Sequence, residues 1–108
     1  MRGPDDILPL VRRVKARIEA HYGERFAGLR LYGSYARGEA GPESDVDLLV
    51  LLHGDVDRWE EIGRLVDLTY DIEVETGTIL SLHPRSVEAY EAAESYFLRN
   101  VRADAVTP

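Results

Sequence analysis

Cysteine is absent from this chain of 108 residues. That excludes disulfides and thiolate metal ligands, and it suits a reducing compartment, the cytoplasm. No apolar run approaches the roughly 20 residues needed to span a bilayer as a helix. The opening stretch MRGPDDILPL lacks the apolar core of a signal peptide. Lysine occurs once, at Lys15, and basic residues number 13 against 20 acidic ones. The formal charge of −7 argues against broad binding to a nucleic-acid backbone, which needs clustered positive charge. A nucleotide stays within reach, because a divalent ion can neutralise its phosphates locally.

What is present is a globular balance, 44% apolar and 31% charged. The length suits one domain with one core, residues 1–108. Asp5 and Asp6 can cap a helix running to about Tyr22, with Pro9 in its first turn and Gly23 as its stop. Ile7, Val11, Val14 and Ile18 recur at helical spacing and give it one apolar stripe. The stretch GLRLYG, residues 28–33, alternates like a short strand. VDLLVLL, residues 46–52, is apolar almost throughout and reads as a strand buried on both faces. Asp55 or Asp57 can start a second long helix, with Trp59, Ile62, Leu65 and Val66 facing inward. LTYDIEV also alternates like a strand, but the helical spacing continues to Ile72 and favours helix up to Gly77. TILSLH then forms a strand that Pro84 ends. Ser86 caps a last helical region, broken near Ser95. The expected class is α/β (α+β): a small mixed sheet with helices packed on it.

Two motifs carry chemistry. In GSYARG, residues 33–38, Gly33 ends a strand and Ser34 begins a short helix. Free amides at a helix start attract anions, and glycine lets a phosphate approach the backbone. The Ser34 hydroxyl can donate to that phosphate or cap the helix. Arg37, one turn on, can reach the same anion with its planar fork. In SDVDLLV, residues 44–50, Asp45 and Asp47 project from one face at a strand start. Carboxylates held side by side raise each other's pKa unless a cation intervenes. Magnesium, which bridges carboxylates and substrate phosphates, removes that cost. Two such ions about 3.5–4 Å apart would clamp the oxygens of an in-line phosphoryl displacement. Ser44 either orients a carboxylate or finishes the turn.

Together, GSYARG and SDVDLLV resemble the GS-x-A-R-G…S-D-x-D-L-L-V signature of the minimal nucleotidyltransferases, within the DNA polymerase β-like superfamily. The likeness is tight over residues 33–50 and extends in element order over roughly 5–85. It implies the polymerase β-like fold and transfer of a nucleoside monophosphate, AMP from ATP, to a hydroxyl acceptor. By position, Gly33, Ser34, Arg37 and Ser44 would bind the nucleotide, and Asp45 and Asp47 would hold Mg2+. Many such small proteins accompany a helical HEPN-type partner as antitoxins, and some modify that partner with AMP.

One departure stands out. Active members carry a third carboxylate on the strand after the intervening helix, and TILSLH has no acid. Asp71 or Glu73 would serve only if residues 68–74 formed the strand. His83 is a candidate base on TILSLH, or a strand-end histidine held by hydrogen bonds. Trp59, Tyr90, Tyr96 and Phe97 fit core positions, a nucleotide pocket or a protein interface. The acidic stretches 55–61 and 71–75 read as solvated faces. Two functions follow: an Mg-dependent transferase, or a non-catalytic nucleotide-binding protein that neutralises its partner by binding. So small a domain is expected to need a partner subunit or self-association to complete its site.

Overall fold

A computed structural model describes the whole chain, residues 1–108. Helix α1 spans Pro4–Tyr22 and buries Ile7, Val11, Val14 and Ile18, the stripe read from the sequence. Its cap differs from expectation. Gly3 is the N-cap, and Asp6 reaches back to accept the Gly3 N–H at 2.8 Å. Proline suits the first helical position because its missing N–H would be free there anyway, and Pro4 holds that place. Pro9 therefore falls in the second turn rather than the first, on an exposed face.

Gly23 ends α1 with a φ of +57° and opens a short 3-10 turn, Gly23–Arg25. Strand β1 (Phe26–Tyr32) starts two residues earlier than expected, with an irregular register between Phe26 and Gly28. A single turn, α2 (Gly33–Ala36), follows it directly. Strand β2 covers Val46–Leu52, the apolar run as read. It lies between β1, antiparallel, and β3 (Leu80–Ser86), parallel. A central strand has two faces to bury, which is why its alternation is lost. Leu48, Val50 and Leu52 join the core under α1, while Leu49 and Leu51 pack with Tyr90, Leu98 and Val101 on the other side.

Strand β3 does not end at Pro84. It runs on to Ser86, with Pro84 opposite Val50. As an edge strand it can carry a residue that donates no ladder hydrogen bond. The β3 strand also begins at Leu80, leaving Thr78 and Ile79 in the preceding turn.

Helix α3 (Arg58–Thr76) extends to Gly77 as expected, capped by Asp57 at one end and by a left-handed Gly77 at the other. Its inward face needs correction. Glu61, Leu65, Thr69 and Ile72 are buried, while Trp59 and Val66 are 86% and 47% exposed. Periodicity alone leaves this face ambiguous, because apolar residues lie on both sides of the helix and a glutamate occupies a core position. Glu61 is tolerated there because its carboxylate pairs with Arg25, takes a hydrogen bond from the Tyr22 hydroxyl at 3.1 Å and meets Arg64 at 3.0 Å. The stretch 55–61 is thus not wholly solvated.

Helices α4 (Val87–Ala92) and α5 (Tyr96–Asp104) are capped by Ser86 and Ser95, with the break where the sequence places it. Tyr90 is buried and Phe97 half-buried, but Tyr96 is exposed and not a core residue. Past α5, Val106 exchanges two backbone hydrogen bonds with Leu31 and covers the outer edge of β1. No helix is long and apolar enough to cross a membrane.

Candidate active site

The site forms where β1 and β2 run antiparallel and their ends meet. Tyr32, the last residue of β1, pairs with Asp47, the second residue of β2. Gly33 then turns the chain with a φ of +76°, a conformation that side chains disfavour. Space there is as restricted as the backbone. A Cβ built on Gly33 would lie 2.2 Å from Asp47 Oδ2. The glycine-serine turn and the second aspartate therefore interlock, and only glycine lets that carboxylate rest against the turn.

Asp47 is half-buried, and its pKa is raised, first by burial and then by the neighbouring charge of Asp45. His83 and Arg37 oppose the rise. Asp45 stands exposed just before β2, and neither aspartate takes part in any ion pair of the molecule. Two acids of one sign, one of them desolvated, suit a hard cation with oxygen ligands. No group of three acidic or histidine side chains gathers anywhere in the chain. A cation here would thus take two carboxylates from the protein and the rest of its ligands from substrate and water.

The register of β3 bears on the missing acid. Ser81 is the neighbour of Asp47 and His83 the neighbour of Leu49. Side chains two apart on a strand share a face, so Ser81 and His83 stand in the row where a third carboxylate would complete the site. The Ser81 hydroxyl and His83 Nε2 are hydrogen-bonded at 3.0 Å. Burial and the Arg85 charge lower the His83 pKa against the pull of Asp47, which keeps the ring neutral near pH 7. His83 also packs with Tyr32 and Phe97. Burial, then Asp47, pushes the Tyr32 hydroxyl up to about 12. Asp71 and Glu73 are excluded as third acids. Both lie on α3, where Asp71 pairs with Arg17 and Glu73 accepts the Leu80 N–H.

Ser34 sits in the first turn of α2, and Arg37 follows it. Arg37 is bonded to Glu39 at 3.2 Å and Asp104 at 3.0 Å, tying the turn to α5. Its charge still reaches Asp47. The Ser44 hydroxyl accepts the Gly41 N–H at 2.8 Å and so closes the turn before the aspartates. Beside Asp45 a polar cleft of about 540 Å³ opens, lined also by Arg2, Tyr35, Glu43, Ser44 and the Thr76–Ile79 turn. That volume falls in the range of small-ligand sites. Sequence reasoning missed Ser81 and Arg2. Strand register alone reveals the first, and the second arrives through the Arg2–Ala40 backbone pair.

A glycine-serine turn locked beneath the second of two aspartates stands at the end of a mixed sheet, and the fold around it is that of a known class of transferase domain. The chain belongs to the nucleotidyltransferase domain family, whose model matches residues 11–106. It is 32% identical over 85 residues to a candidate protein adenylyltransferase of Methanocaldococcus jannaschii, covering 78% of this chain and 79% of that one. It is also 32% identical over 84 residues to a bifunctional uridylyltransferase/uridylyl-removing enzyme of Cupriavidus metallidurans. That match takes in 68% of this chain but only 10% of the Cupriavidus protein, so the chain spans about a tenth of that relative's length. A solved structure of a candidate minimal nucleotidyltransferase superposes with a TM-score of 0.57 at 25% identity, covering 94% and 95% of the two chains.

Proposed function

We propose that this protein transfers AMP from ATP to a hydroxyl on a protein partner. The observation that carries the reading is the Gly33–Asp47 interlock, which holds the glycine-serine turn against a half-buried carboxylate that enters no ion pair. Gly33 and Ser34 offer backbone and hydroxyl donors to the triphosphate. Arg37, braced by α5, adds positive charge at its edge, while Ser44 fixes the turn that presents Asp45. Asp45 and Asp47 would hold Mg2+, one ion or two. Bound there, the metal supplies positive charge against the triphosphate and the departing pyrophosphate. The acceptor oxygen forms a bond to the α-phosphorus, the bond from that phosphorus to the bridging oxygen breaks, and pyrophosphate leaves. The acceptor proton passes to solvent or to the neutral His83.

Adenylyl transfer is favoured over uridylyl transfer because the archaeal relative matches along most of its length. A HEPN-type protein is the partner expected from the family resemblance, with the chain as its antitoxin in the cytoplasm. One observation favours a second reading, a nucleotide-binding protein that neutralises its partner without chemistry: β3 carries Ser81 and His83 where a third acid would stand. Loss of a general base costs about 10²–10⁴-fold in rate.

Incubation with α-labelled ATP and the genomic-neighbour protein separates the two. Transfer leaves a covalent adenylyl label, and α-labelled UTP in place of ATP leaves at least tenfold less nucleotidyl label. Asp45→Asn with Asp47→Asn abolishes it. Label surviving that double variant overturns the assigned metal site. Nucleotide binding without label in the wild type supports the second reading.

A further inference from the structure

The outward face of α3 is apolar along most of its length. Trp59, Val66, Tyr70 and Val74 are 86%, 47%, 64% and 66% exposed. At 100° per residue these four fall within an 80° arc, with Gly63 on the same line. That arc is turned away from Glu61, Leu65, Thr69 and Ile72, the face that α3 buries in the core. A contiguous stripe of this kind, headed by a tryptophan and a tyrosine, has the composition of an interface centre rather than of scattered surface residues.

Charge decides what covers it. Helix α3 carries six acids against two arginines, more than half of the chain's negative excess. Glu60, Asp67 and Asp71 lie along one flank of the stripe; Glu60 pairs with Arg64 and Asp71 with Arg17 in exposed ion pairs, while Asp67 enters none. A two-fold antiparallel pairing of α3 with a second copy would set this flank beside its own equivalent, with the unpaired Asp67 of each copy adding like charge and no cation on that flank free to meet it. Like charges in an interface disfavour that partner, while opposite charges select one.

We propose that the outer face of α3 docks an amphipathic helix of a partner protein, whose apolar stripe is flanked by lysine and arginine. The helix leads from Trp59 to the Thr76–Ile79 turn, which lines the cleft beside Asp45. A partner seated on the stripe is thereby held next to the site. The docking face stands independently of the transfer chemistry and is tested without it.

Trp59 is the only tryptophan of the chain and reports on its own surroundings. Three 18-residue amphipathic helices with leucine, leucine-alanine or leucine-phenylalanine stripes and lysine-arginine flanks are titrated into the full chain. At least one is expected to blue-shift the tryptophan emission. Val66→Glu and Tyr70→Ser, at exposed positions, each weaken that binding tenfold or more, with unchanged far-UV circular dichroism and unchanged Mg-ATP affinity. Asp67→Lys weakens it and flattens its salt dependence. The proposal is overturned if none of the basic helices binds, or if glutamate-flanked versions bind equally well. It is also overturned if sedimentation finds a dimer of the wild type that Val66→Glu dissociates, which would make the stripe a self-interface.

Discussion

At Gly33 two restraints coincide, a left-handed backbone and the Asp47 carboxylate where a side chain would stand. Gly54 provides the control, since its φ is +84° but nothing lies within 4 Å of its Cβ position. Gly54→Ala should cost about 1 kcal/mol from the backbone alone. Gly33→Ala should cost more and also weaken Mg-ATP binding, because Asp47 has to move. Urea unfolding and nucleotide titration on both variants check this. Asp47 carries a second consequence. Its pKa is raised in the folded protein, so the fold binds more protons than the unfolded chain as pH falls toward the ordinary aspartate range. Stability from this group is therefore lost as pH rises through the raised pKa and is missing at neutral pH. Asp47→Asn should stabilise the ligand-free protein at pH 7 while destroying the site, and thermal melts across pH 4–7 should show the difference between variant and wild type shrinking on acidification. A variant less stable than wild type at pH 7 would contradict the stated cause.

At the scale of elements, α3 and β3 carry the weight. Glu61 joins α3 to Tyr22, at the end of α1, and to Arg25 in the turn that follows. Removing the buried carboxylate loses its charge-assisted hydrogen bonds, at about 1.5–3 kcal/mol, while Arg25 and Arg64, 35% and 46% exposed, can return to water. Glu61→Ala should lower stability by that order, a large part of the total for a small domain, whereas Glu61→Gln, which keeps hydrogen-bonding atoms, should cost less. Denaturant midpoints decide. On β3, Ser81→Asp places a carboxylate beside Asp47 in the register already present. Adenylyl labelling should then rise tenfold or more, at some loss of stability without metal. An unchanged rate would mean that the neutral Ser81–His83 pair already does what an acid would do there.

For the molecule as a whole, binding and folding are linked. Mg-ATP that binds only the folded chain should stabilise it by about 2.7 kcal/mol at a hundredfold excess over Kd. The gain should vanish in the Asp45→Asn/Asp47→Asn variant, as thermal melts with and without ligand would show. The apo site resists folding because it gathers negative charge, and ligand with metal reverses that balance. The same excess of negative charge, concentrated on α3, sets the expected choice of partner.

The sequence by itself determined a first helix running to Tyr22, though not its Gly3 cap, the apolar strand 46–52, the serine cap at Ser86, a break near Ser95, and the glycine-serine and aspartate motifs. Each of these is written in local chemistry: periodicity, capping or a fixed spacing of a few residues. Tertiary structure alone decided that Glu61 is buried and Trp59 exposed, because the fate of an ambiguous helix depends on which groups the neighbouring segments bring up to it. It decided that β3 passes through Pro84, because only an edge strand accepts that residue. It also decided that Ser81 stands beside Asp47 and that Gly33 lies under it. Those positions are set by strand register, which joins residues far apart in the chain and leaves no mark in either segment alone.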